Sequence, residues 1–275
     1  MFLAILSLVA CAATETPGTR TQQRTSAVGA ARADLMPKVT QFIEQIAVLE
    51  PAQFNGGLPD VPATERGLLP GWTDPVCPKV TGAVQPEAEY MVARISKVAR
   101  VVGAPVDGAQ CRPNLHIFVT PQPQELLRGL EQNQFTETFG RSALPAIIDQ
   151  FIATPRTVRV WYNIGVGGPP TPFKYSFTSV WVVVDKTQLD GASRRQLADY
   201  IALVGLAEIR MGAHVGNAPT ILRLFDGVPQ AARPGLSDWD TAFLKALYST
   251  ASWPEGWSRL RLNELASSMV NAIIS

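Results

Sequence analysis

Acid–base chemistry on this chain would have to run through Asp199, Glu208 and His214, because the sequence holds only two histidines, His116 and His214. Carboxylates and imidazoles are the ordinary proton carriers of hydrolysis. Asp199 and Glu208 do not form a matched pair: nine residues are about two and a half helical turns, so the two carboxylates face different sides of a helix. His214 lies in the loop between Gly212 and Pro219. His116, in the run NLHIFVT from Asn114 to Thr120, shares a strand face with Phe118 and reads as a satisfied sheet histidine.

Other nucleophile and cofactor signatures are missing. There is no Gly-x-Ser-x-Gly elbow, and Ser176, Ser179, Ser193 and Ser237 read as turn, strand and cap residues. The GVGG run from Gly165 lacks the Lys-Ser/Thr of a phosphate loop and meets Pro169-Pro170 where a helix would have to start. With two histidines on different elements, no metal site and no cofactor is expected. Aromatic side chains offer a binding lead instead: Trp161, Tyr175 and Trp181 flank the Gly165–Pro172 loop and could line a cleft for a peptide or a glycan. The alternative is that they pack beneath the C-terminal helices.

The elements that must position these groups follow from periodicity. Val39, Phe42, Ile43 and Ile46 mark a helix over 35–49, and the proline-dense stretch 51–86 forbids a long helix or a central strand. Pro86 opens a second helix that Gly103 stops. A strand over 114–120 leads to short helices near 124–131 and 144–151. Then come the strand 157–164, in which Val158, Val160 and Tyr162 alternate with Arg159 and Trp161, and the most apolar strand, 177–184. Ser193 with Gln196 forms a capping box for a helix ending near Met211. Ser237 with Asp240 starts another, and a last helix spans 257–274. The fold class is therefore α+β: a mixed sheet packed against long helices.

Leu8-Val9-Ala10-Cys11 closes a short apolar run and resembles the lipobox of bacterial lipoproteins. The resemblance implies a signal peptide over 1–10, a lipidated Cys11, and a cell-envelope protein facing the periplasm. Ala12 points to the outer membrane. A run of about ten residues is too short to span a bilayer. Residues 11–34, poor in aromatics, read as a flexible tether to the membrane, leaving 35–275 as a single globular domain. Export makes the remaining cysteines, Cys77 and Cys111, most simply a disulfide, with two free thiols as the alternative.

Strand, turn, long helix, irregular loop and the helix LSDWDTAFLKALYS (Leu236 to Ser249) form an order similar to the zincin metallopeptidases. The likeness covers about Phe177 to Ser249, within a zincin-like core of about 114–249. Laid over HExxH, it puts Ala198 at the first histidine, Asp199 at the glutamate and Ala202 at the second histidine. The resemblance thus implies a zincin-like core without its metal. It is also similar to exported domains of unknown function that share the Leu-Ser-x-x-Asp start and Leu-Tyr end.

Composition narrows the partners. The net charge of +1 lacks the basic excess that nucleic-acid binding needs. With 46% hydrophobic and 17% charged residues there is ample material for a core. The reading is a membrane-anchored binding module with a protein, peptide or glycan partner; a hydrolase using Asp199, Glu208 and His214, or a structural envelope component, are the competing classes.

Overall fold

The computed structural model describes residues 17–47, 69–108, 110–130, 145–166, 175–189, 191–210, 212–226, 234–249 and 258–275. Cys11 and the segment 1–16 lie outside the described residues, as do most of the 165–172 loop and the turn around Trp253 and Trp257. Among the described residues the chain is a mixed α/β protein of seven α-helices and one open four-stranded sheet. None of those helices is long and apolar enough to cross a membrane.

Four strands form the sheet: β1 (Pro78–Thr81), β2 (Leu115–Thr120), β3 (Val158–Val166) and β4 (Tyr175–Asp185). Their order is β1-β2-β4-β3, with β1, β2 and β4 parallel and β3 antiparallel at the far edge. β4, which carries Val180, Val182, Val183 and Val184 at full burial, is interior, as its apolar run anticipates. β1 falls inside the proline-dense stretch 51–86, which excludes a long helix or a central strand, and β1 is neither. It is tolerated because Pro78 is its first residue and β1 is an edge, where a missing N–H costs no ladder bond.

Helix α2 (Gln85–Val102) crosses from β1 to β2, with Pro86 in its first turn and Gly103 at φ 84° closing it. Its Met91, Ile95, Val98 and Val102 are buried. Helix α5 (Arg194–Leu206) packs beside α2 on the same sheet face, and its capping box of Ser193 and Gln196 is complete. The principal core fills the space between these helices and the inward residues Leu115, Ile117, Val158, Val160, Val180 and Val182. Outside lie α1 (Pro17–Ile46), α6 (Asp238–Ser249) and α7 (Ser258–Ile274). Phe42 of α1 meets Trp239 and Phe243 of α6 edge-on, at 5.4 and 6.4 Å between ring centroids.

The opposite sheet face has a smaller core beneath α3 (Pro123–Gly129) and α4 (Pro145–Ala153), built from Leu127, Ile148, Phe151, Ile152, Trp161 and Val183. The strand β3 is thus buried on both faces. Even Arg159, which alternates with the valines of β3, is fully buried, donating from Nε to Thr154 O and from Nη1 to Arg156 O.

Two expectations change. Residues 17–34, read as a flexible tether, form the first turns of α1. The segment has almost nothing to bury, and Val28 is 48% exposed. Its Ala, Arg and Gln are good helix formers, so it propagates from the packed turns at 35–46, where nucleation is already done. Helix α5 ends at Leu206 rather than near Met211, with Ala207 extended. Ile209 bridges to Ala47, and Arg210 N donates to Ile46 O at 2.7 Å, so pairing with the end of α1 displaces the next helical turn.

Cys77 and Cys111 form a disulfide, with Cα atoms 5.8 Å apart and a sequence separation of 34. It ties the residue before β1 to the loop before β2. Trp72 anchors the approach to β1 by donating Nε1–H to Gly205 O at 2.8 Å and packing edge-on to Phe177.

Candidate functional site

The groups first considered for acid–base chemistry are separated by the fold. Asp199 is fully buried and accepts from Arg94 Nε at 2.5 Å, from Arg94 Nη2 at 2.9 Å and from Leu236 N at 3.0 Å. Arg195 Nε adds a longer contact at 3.8 Å. This carboxylate joins α2, α5 and the approach to α6. It abuts Gly235 so closely that a Cβ there would lie 1.9 Å from its Oδ2. Glu208 lies beyond the end of α5 and is buried without a described hydrogen-bond partner, and burial alone pushes it up to about 8. His214 is exposed and touches neither carboxylate. The three therefore do not converge.

The aromatic lead divides in the same way. Trp161 is 9% exposed, packs at 5.1 Å between centroids against Phe151 of α4, and donates Nε1–H to Asn163 Oδ1. Trp181 is its direct cross-strand neighbour and is half-buried with His116 and Phe118. Burial, and then Lys79 on the adjacent strand, lower the pKa of His116. Tyr175 pairs with Val166 at the other end of the hairpin, and its side chain lies outside the described residues. Trp161 and Trp181 do pack under helices, but under α3 and α4 rather than the C-terminal ones. Among the described residues no group of three or more His, Cys, Asp or Glu side chains could hold a metal ion.

A different site emerges between β3 and α5. A cavity of about 160 Å³ is walled by Val158, Val160 and Tyr162 of β3, Tyr200 and Val204 of α5, and Leu222 and Phe225 of the 3-10 turn Ile221–Phe225. Its polar rim is Arg156, Arg210 and Asp226. The sequence builds it simply: β3 alternation sends 158, 160 and 162 to the α5 side, and 200 and 204 sit one helical turn apart on the facing stripe.

Arg156 stands out in this rim. Arg159 holds the loop that carries it, through bonds to the Thr154 and Arg156 carbonyls. The Arg156 Nε is buried with no hydrogen-bond partner, and no described carboxylate pairs with its guanidinium. Gly212, at φ 76°, leaves room for it: a Cβ there would lie 2.9 Å from Arg156 Nη2. Tyr200 packs edge-on to Phe225 at 5.0 Å. Burial, then the nearby Asp226 charge, push its hydroxyl up to about 12, so it stays a proton donor. Tyr162 is committed elsewhere, donating to Val204 O at 2.9 Å and accepting from Ile209 N at 3.2 Å.

The cavity also borders the outer edge of β3, where Val158 and Val160 are 8% and 7% exposed. Asp185 N donates to Thr157 O at 2.8 Å, which makes 157/185, and hence 159/183 and 161/181, the hydrogen-bonded pairs. The backbone N–H and C=O groups of Val158, Val160 and Tyr162 therefore point outward. Among the described residues, no strand pairs with that edge.

Sequence reasoning did not single out Arg156, Tyr200 or Gly212. Tyr200 is visible in the sequence only as one more member of the α5 apolar stripe, and Arg156 only as a residue after Pro155. The fold places the chain in the mixed α/β class, with a cavity at the antiparallel edge of its sheet. No family model, curated protein or solved structure matches the chain.

Proposed function

We propose that the chain is a lipid-anchored binding module of the cell envelope, periplasm-facing at the outer membrane, which takes an extended peptide along β3. The observation that carries the binding reading is the cavity at the outer edge of β3, where backbone groups that do not pair with β4 and pocket-lining side chains lie together. Main-chain pairing supplies affinity in this mode and a side-chain pocket supplies selection. Leu8-Val9-Ala10-Cys11 supports the address, and the Cys77–Cys111 disulfide supports an oxidising compartment.

A zincin-like core remains part of the reading. It is supported by the order β4, α5, irregular segment and α6, with the antiparallel β3 at the sheet edge. Non-catalytic action is supported by what occupies the motif positions: Ala198 and Ala202 are fully buried aliphatics, and Asp199 is held by Arg94.

Hydrogen exchange on the full-length lipidated protein, with and without a peptide extract of bacterial envelopes, tests the binding reading. Slowed exchange at Val158, Val160 and Tyr162 is expected; unchanged exchange there would refute it. Fractionation of cells carrying Cys11→Ser tests the address. The variant should leave the membrane pellet for the soluble fraction, and a variant that still pellets ends the lipid-anchor claim.

A further inference from the structure

We infer that the cavity reads the carboxyl end of its peptide: an apolar last residue enters between β3 and α5 while the terminal carboxylate sits against Arg156 and the Tyr200 hydroxyl. This rests on the binding-module reading above and adds the chemistry of the ligand.

Strand polarity carries the inference. A peptide that pairs antiparallel with β3 runs toward the start of that strand, so its carboxyl end arrives beside Arg156, two residues before Val158. A parallel peptide would bring its N-terminal ammonium to the same guanidinium, like charge on like. The antiparallel ladder is also the more stable arrangement.

Chemistry at the end of the strand matches. A guanidinium presents planar paired N–H donors to a carboxylate, and Arg156 has no described carboxylate partner, although Asp226 lines the same cavity. Tyr200 supplies a second donor, kept protonated by its burial. Val158, Val160, Val204, Ile209, Leu222 and Phe225 supply an apolar wall, with Thr157 and Arg210 also lining the cavity. A cavity of about 150 Å³ accommodates a benzene-sized group, so the 160 Å³ here suits a valine, leucine or phenylalanine side chain. Gly212 is part of the device, since any larger residue there would push the Arg156 guanidinium aside.

The test uses the full-length lipidated chain, immobilised in detergent. It is offered a pool of eight-residue peptides, random except for a last valine, leucine or phenylalanine, in free-acid and C-terminally amidated forms, and the retained peptides are counted by mass spectrometry. Free acids should be retained about tenfold or more over amides. Arg156→Gln should erase that ratio while its thermal unfolding stays close to that of the parent, and His214→Ala, in an exposed loop, should leave the ratio unchanged. If Arg156→Gln does not fold, Tyr200→Phe, which removes only the hydroxyl, should reduce the ratio several-fold. Equal retention of acids and amides, an acid preference that survives in Arg156→Gln, or retention of neither form overturns the inference. So does competition by 3-phenylpropionate as strong as by the peptides, because the pocket would then take a free small acid without strand pairing. Equal retention of both forms with slowed exchange along β3 leaves the binding-module reading standing; unchanged exchange along β3 removes that reading too.

Discussion

Arg94 fixes what Asp199 can do. Bidentate pairing and a backbone N–H from Leu236 occupy the carboxylate at zero exposure, which makes it a joint between three elements. Removing one partner of a buried pair leaves an uncompensated charge and costs about 3–5 kcal/mol; Arg94 keeps 20% of its side chain exposed, which places the loss at the lower end. Asp199→Asn should therefore lower the melting temperature by roughly 5–10 °C, read by circular dichroism, and a melting curve unchanged from the parent's would contradict the joint. Glu208 carries a pH signature. Its folded-state pKa is raised to about 8, so the folded chain holds the proton more tightly than the unfolded one. Stability is then fullest below the ordinary carboxylate range and falls as pH rises toward 8, with a slope approaching about 1.4 kcal/mol per pH unit. Urea unfolding of Glu208→Gln at several pH values should show that slope flattened; an undiminished slope would place its origin elsewhere. Neither environment is legible from the sequence, which displays both residues as carboxylates near one helix. Partners such as Arg94 arrive from a different helix, 105 residues away.

Elements were easier to read than sites. The α2, β2, β4 and α6 segments announce themselves through periodicity, Pro86, Gly103 and the Ser237–Asp240 cap, which closes with Ser237 N donating to Asp240 Oδ2 and Asp240 N to Ser237 Oγ. The end of α5 was not legible, because the signal that stops it is a bridge from Ile209 to Ala47 on another element. The tail of α1 was misjudged for a related reason: lack of apolar residues forbids a core but does not forbid a helix continued from a packed one. Gly205 shows packing written as composition. A Cβ there would meet both Leu115 methyl groups at 3.1 Å, so the glycine lets α5 approach β2. Gly205→Ala should cost about 1–3 kcal/mol through overpacking. A second change, Leu115→Val, should return part of that loss in a double-mutant cycle read by urea unfolding; strict additivity would show that the two sites do not press on each other.

At the scale of the molecule, the disulfide staples β1 to the sheet through the residue before it and the loop before β2. Closing a loop of this size stabilises by roughly 3–4 kcal/mol. The Cys77→Ala/Cys111→Ala protein should therefore melt about 6–15 °C lower than the oxidised parent, whereas reductant should leave its melting point unmoved. The staple, the buried Asp199 and the small-residue approach of α5 all tie the α5 face to the sheet, and among the described residues no strand pairs with the outer edge of β3. The binding claim turns on that edge. It is tested most directly by comparing Val160→Ala with Val160→Pro for retention of the peptide pool. Both lose the Val160 side chain, but only proline also removes an N–H that points away from the β3–β4 ladder. Retention by Val160→Ala within about threefold of the parent, with a loss of about tenfold or more in Val160→Pro, is the expected result for backbone pairing. Equal retention by the two variants would contradict it.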